Sequence, residues 1–174
     1  HIGSFIDVIF YFNKEIINFF DNKIFFLKIF ISSVPAMIVG YFLVKFGLIE
    51  LIRNIEIIAW TTILFGILLF ISDRFGLEKD IKKNFTYKTA IIIGLFQILS
   101  LIPGVSRSGI TISAARLLNF KRVDAAKISF LLSIPVLGAV SIFGLNAIFF
   151  SDNINVAKLN LLSILLSFLF SLIT

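Results

Sequence analysis

The 174-residue chain has no cysteine, one methionine, one tryptophan and one histidine. Without cysteine there is no disulfide scaffold, no thiolate metal site and no cysteine nucleophile. The lone histidine, His1, carries no ligand role and leaves paired-imidazole chemistry without support. Ten glycines and three prolines are too few for a collagen-like chain. Charge is scarce as well: 15% of residues are ionic, where a soluble domain carries roughly 25%. What is there instead is apolar, 59% of the chain, with a mean hydropathy of +1.05. Such a chain cannot cover a globular surface with polar groups, so soluble and disordered classes are excluded. The formal charge of +6 does not imply nucleic acid, because the basic residues lie between apolar runs rather than on a polar surface. No nucleic-acid partner is expected; the class is an all-α, polytopic integral membrane protein.

A hydrocarbon core of about 30 Å takes about 20 apolar residues in helix. Residues 29–49 and 128–150 give full-length spans, the first with Pro35 as a tolerated kink, and 57–72 gives a short one. The apolar runs 1–12 and 161–174 read as parts of further spans, and no basic segment or cleavage site precedes His1. Both ends therefore read as cut, and the chain is taken as a single transmembrane domain over 1–174, truncated at both ends. Trp60, near a span start, suits an interfacial anchor. The small residues of SSVPAMIVG and SIPVLGAVS permit close helix approach.

Residues 89–119 break the pattern. TAIIIGLFQILSLI is followed by PGVSRSG and then ITISAARLLN. At 1.5 Å per residue the two helical halves are about 21 and 15 Å long, too short to cross a core of about 30 Å singly. They form either one broken crossing or a hairpin that enters and leaves by the same face. Cytoplasmic loops carry excess Lys and Arg, which discriminates the two. With a hairpin, twelve loop cations fall on one side and three on the other; with a crossing, the split is nine against six. The sharper asymmetry predicts a re-entrant hairpin over 89–119, its tip dipping in from the cytoplasmic side.

The tip carries the chemistry. Pro103 ends the first half-helix, and Gly104 allows backbone geometry closed to other residues. An ionisable residue inside the membrane, here Arg107, is a functional candidate. Its guanidinium is a planar donor fork matched to phosphate oxygens. Ser106 and Ser108 add hydroxyls, and the free N–H groups of the next half-helix face the same spot. No carboxylate lies anywhere in 89–119. Cation, hydroxyls and amides together read as an anion site, best suited to phosphate, with no metal ligand among them. Arg107 paired with a structural acid, or snorkelling to an interface, is the bland alternative. Thr111 either caps the start of the half-helix or lines the pocket, and Gln97 makes either a packing hydrogen bond or a substrate contact. Asp7 is either buried or near an interface.

QILSLIPGVSRSGITIS, followed by FLLSIPVLGA, resembles the bacterial undecaprenyl-diphosphatase family (BacA/UppP). The stretch PGVSRSGIT matches that family's second signature, Pro-Gly-x-Ser-Arg-Ser-x-x-Thr, with Thr111 as its threonine. HIGSFIDVIFYF looks like the helix that follows the first signature. The resemblance implies a multi-pass enzyme of the bacterial inner membrane that hydrolyses undecaprenyl diphosphate to undecaprenyl phosphate and inorganic phosphate. That reaction recycles the lipid carrier for peptidoglycan synthesis, and the family is associated with bacitracin resistance. The resemblance also implies six spans and two re-entrant hairpins in an inverted repeat. Position by position, Arg107 and Ser106 would be catalytic, while Gly104, Ser108 and Thr111 would bind substrate or support the loop. A divalent cation, magnesium or calcium, is implied as cofactor, with its glutamate ligands in the first signature. That signature would precede residue 1, so the chain alone is expected to be inactive. A homodimer is left open as a partner state.

A transporter or flippase for a phosphorylated lipid is the alternative function, because broken helices around an anion site are also transporter architecture. Phosphate release on substrate addition separates the enzyme from headgroup translocation without hydrolysis.

Overall fold

Among the described residues six helices are named in order: α1 Lys23–Lys45, α2 Ile55–Asp73, a short α3 Ile81–Asn84, α4 Tyr87–Ile98, α5 Arg107–Leu117 and α6 Arg122–Phe149. They are seen in a computed structural model that describes residues 23–48, 53–74 and 79–149, with positions 163 and 166. The apolar runs 1–12 and 161–174, and with them Asp7, lie outside the described residues apart from those two positions. No strand occurs among the described residues; one isolated bridge pairs Lys79 with Phe120. Three helical stretches are long and apolar enough to cross a membrane: Lys23–Lys45, Ile55–Asp73 and Arg122–Ile142. These are the three full or near-full spans of the sequence, each beginning two to six residues earlier than its apolar run. The fold is that of an all-α membrane protein.

The chain divides into two units. One is Ile24–Leu132, which holds the hairpin; the other is His1–Lys23 with Ser133–Thr174, which takes in the C-terminal part of α6. Within the first unit, α4 and α5 pack on each other as a hairpin, and α2 lies along α5. Local chemistry sets the hairpin's ends. Thr86 and Thr89 form a reciprocal capping box at the start of α4. A 3₁₀ turn at Leu99–Leu101 closes α4. Asn119, with φ of 69°, ends α5: the N–H of Phe120 bonds the Ala115 carbonyl at 3.0 Å and that of Asn119 the Arg116 carbonyl at 2.8 Å. This is a Schellman stop, with Asn in the left-handed position and Phe120 folded back on the helix end.

Small residues let α1 meet α4. Ser32 donates from its hydroxyl to the Ala90 carbonyl at 2.6 Å. A Cβ on Gly94 would collide with the Ser32 carbonyl, so the two backbones touch directly. Farther along, Gly40 faces Leu101. The pairs 32/90 and 40/101 advance together, so α1 and α4 run parallel. On α2 the residues Ile57, Thr61, Phe65, Leu68, Leu69, Ser72 and Asp73 form the less exposed stripe, at helical spacing. Thr61 touches the tip and Asp73 touches Arg116, so α2 runs parallel to α5. Both feet of the hairpin therefore sit at one end of the α1–α2 pair. Phe25, Phe85 and Phe120 pack there, with ring centroids 5.3 and 6.3 Å apart along the series.

That end also gathers cations and their partners. Lys28 donates to the Phe85 carbonyl at 2.7 Å. Arg122 makes a two-bond fork with the Asp73 carboxylate, both contacts at 2.8 Å. Arg116, counted among loop cations by sequence, is in fact buried in the last turn of α5. It donates to the Phe120 and Asp73 carbonyls at 2.7 and 2.9 Å and stands 3.4 Å from the Asp73 carboxylate.

Candidate functional site

The tip is built by one turn. The Val105 N–H bonds the Ile102 carbonyl at 3.1 Å across Pro103 and Gly104, and Gly104 has φ of 90°. Proline at the second position and a left-handed glycine at the third define a type II β-turn. Gly104 is needed twice over. Its φ is disfavoured for other residues, and a Cβ there would meet the Thr61 hydroxyl and, at 2.6 Å, the Ile58 carbonyl.

Ser106 follows in extended conformation and caps α5. Its hydroxyl accepts from the Gly109 N–H and lies 3.2 Å from the Ser108 hydroxyl. Both serines are exposed, and Arg107 between them is half-buried. Among the described residues the Arg107 guanidinium has neither an acid nor a carbonyl as partner. The paired-acid alternative thus finds no support there. The N–H groups of Gly104, Ser106, Arg107 and Ser108 likewise have no acceptor among the described residues. One unpaired guanidinium, two hydroxyls and four amides therefore stand within five consecutive residues at a helix start.

Thr111 sits one turn deeper and does not face outward. It is 1% exposed; its hydroxyl meets the Ser129 hydroxyl of α6 at 2.7 Å and the Arg107 carbonyl at 2.9 Å. Of the two roles open from sequence, this placement fits support of the loop. Ser129 was not singled out by sequence; only its contact with Thr111 gives it a role. Gln97 is fully buried, and neither amide atom has a hydrogen-bond partner among the described residues.

Sequence also missed Thr61 and Thr62, forty-two residues from the turn. The Thr61 hydroxyl donates to the Pro103 carbonyl at 2.7 Å, and that of Thr62 reaches the Gly104 carbonyl at 3.1 Å. The only signal was two adjacent hydroxyls in the middle of IIAWTTILF.

Hydroxyls, amides and a fixed cation are an anion's donor set and not a divalent cation's, which takes oxygen ligands, carboxylates among them. No group of three His, Cys, Asp or Glu comes together among the described residues. The described residues thus do not fit the divalent cation that the resemblance implies, and no step is routed through one.

Among the described residues, three helices apolar enough to cross a membrane, packed with a short helical hairpin, define a helical membrane protein. The family model described as "Bacitracin resistance protein BacA" matches residues 1–174, and the chain belongs to that family. Among its curated relatives, the undecaprenyl-diphosphatase of Pelagibacter ubique is 48% identical over 176 residues, covering the whole chain and 68% of that protein. The undecaprenyl-diphosphatases of Roseobacter denitrificans and Saccharophagus degradans are 39% and 42% identical. Each of these alignments takes in 79% of the chain and 56% of the relative, so the chain spans little more than half the length of most relatives it matches.

Proposed function

We propose that this chain forms part of a membrane phosphatase that hydrolyses undecaprenyl diphosphate to undecaprenyl phosphate and inorganic phosphate. The carrying observation is the unpaired Arg107 between two exposed serines at a capped helix start. Family membership supports the reaction class. The bond broken is the phosphoanhydride, and the elements of water end on the released phosphate and the lipid phosphate. Negative charge builds on the phosphoryl oxygens in such a transfer. Arg107 would clamp and neutralise it, with Ser106, Ser108 and the Gly104 N–H as donors at fixed positions. Thr111, through Ser129, would hold α5 against α6.

The site lies at the tip of a re-entrant hairpin in this proposal, within a multi-pass protein of the bacterial inner membrane built as an inverted repeat. Supporting the hairpin, both its feet sit at one end of the α1–α2 pair, amid the cations of 74–88 and 116–127. From Asp73 to Thr61 is about 18 Å along α2, so a tip at Thr61 reaches past the middle of a core of about 30 Å. Supporting burial at that depth, α5 is shielded at Ile110, Thr111 and Ser113–Arg116, as polar backbone inside a bilayer requires.

The test is Arg107→Ala in the intact protein, with phosphate release from undecaprenyl diphosphate as readout. A loss of about 10²–10³ in rate is expected for one transition-state donor. Full activity in that variant, or lipid translocation without phosphate release, overturns the proposal.

A further inference from the structure

We infer that Thr61 is a positioning residue for the phosphate site, fixing the peptide plane that turns the Gly104 N–H toward substrate. The inference rests on the phosphatase reading proposed above. Types I and II of a β-turn differ mainly by a flip of the central peptide, here the bond from Pro103 to Gly104. Proline at the second position suits both types, and glycine at the third tolerates either sign of φ. The turn sequence therefore favours type II without locking that plane.

Thr61 decides it from another helix. Its single hydroxyl proton has three carbonyls in reach: Pro103 at 2.7 Å, Ile57 at 2.8 Å and Ile58 at 3.1 Å. The latter two belong to the body of α2, where carbonyls already receive helical N–H groups. The Pro103 carbonyl has no other donor among the described residues, and it is the nearest. A buried carbonyl without a donor is costly, so the proton belongs there. The peptide is trans, which sets the Gly104 N–H on the side opposite the Pro103 oxygen, away from α2. The Thr62 hydroxyl lies 2.7 Å from the Ile58 carbonyl of its own helix and 3.1 Å from that of Gly104, so Thr61 carries the hold on the turn. Gly104 is exposed on its free side, next to Ser106.

Without the Thr61 hydroxyl, a flipped turn would present the Pro103 carbonyl where a donor is needed. That places an acceptor's lone pairs against phosphate oxygens. The loss should fall on the transition state, where charge on those oxygens is greatest, more than on substrate binding.

The experiment is steady-state phosphate release from undecaprenyl diphosphate by the intact protein carrying Thr61→Val, Thr61→Ser or Arg107→Ala. Valine keeps the branched shape and removes the proton. We expect Thr61→Val to lower kcat at least tenfold while KM stays within threefold, and Thr61→Ser to retain kcat within threefold of the parent. A smaller loss in the valine variant, a loss carried by KM, or a serine variant as impaired as valine overturns the inference. If the valine variant does not accumulate, Thr61→Ala reads the same loss without adding an apolar methyl beside the turn. Arg107→Ala separates the two ideas. Full activity there removes the phosphate-site reading itself, whereas an impaired Arg107→Ala beside an active Thr61→Val removes only the role of Thr61.

Discussion

Arg107 and Gln97 are both polar residues in an apolar hairpin, and the structure separates them. Arg107 keeps an unpaired guanidinium beside exposed hydroxyls, a state that an arriving anion satisfies. Gln97 is sealed, with both amide atoms lacking partners among the described residues. A buried, unbonded polar group costs about 1–3 kcal/mol in desolvation. Methionine has nearly the same shape and no such demand, so Gln97→Met in this chain is expected to raise stability by about 1–2 kcal/mol. The check is the midpoint of thermal unfolding in detergent; a lower midpoint would mean that the amide has a partner and belongs to a wider polar network. Ser106 and Ser108 were legible from sequence as hydroxyls flanking Arg107 after the Pro-Gly break; that Ser106 is the cap was not. Whether Thr111 faced out or in was not, since both fit one turn of helix. Its contact with Ser129 comes from packing, eighteen residues away.

At the scale of elements, α2 is the gauge of the hairpin. It grips the tip through Thr61, with Thr62 close by, and the foot through Asp73. The Asp73 carboxylate takes the Arg122 fork, and its carbonyl, with the Phe120 carbonyl, satisfies buried Arg116. Asp73→Asn keeps the carbonyl but removes the charge facing both guanidiniums. Removing one partner of a fully buried pair costs about 3–5 kcal/mol. Here Asp73 is 42% exposed, and Arg116 retains its two carbonyls, so about 1–2 kcal/mol is the expected loss. Thermal unfolding in detergent checks it, with Asp73→Glu retaining most of the stability. Sequence made the helices legible, down to the break at Pro103, because span length and turn residues are local properties. The grip of α2 was not legible. IIAWTTILF reads as an ordinary apolar span, and nothing in it names the loop forty-two residues later whose carbonyls its two hydroxyls reach.

At the scale of the whole molecule, the proposed re-entrant hairpin draws on two independent arguments, charge counting and packing. The count sorts loop cations twelve against three, or eleven against three once buried Arg116 is set aside, only when 89–119 turns back on itself. Packing places the Schellman stop after α5 and the capping box before α4 at the same end, linked by the Lys79–Phe120 bridge. The Asp124 carboxylate receives the Ile81 N–H at 2.9 Å, tying the two connections together. A broken crossing would have to separate these feet by the thickness of the bilayer, about 30 Å. The proposed hairpin sets an expected membrane sidedness. Single cysteines at Lys83 and Val123, both exposed, should be labelled from the cytoplasmic face by a reagent that does not cross membranes. A cysteine at Arg53, just ahead of α2 and at the far end from Asp73, should be labelled only from the opposite face. Because the chain has no native cysteine, each signal belongs to one position. Labelling of Lys83→Cys and Val123→Cys from opposite faces would break the hairpin. The anion site would then belong to a through-going helix, with its chemistry exposed along a crossing path as in a transporter.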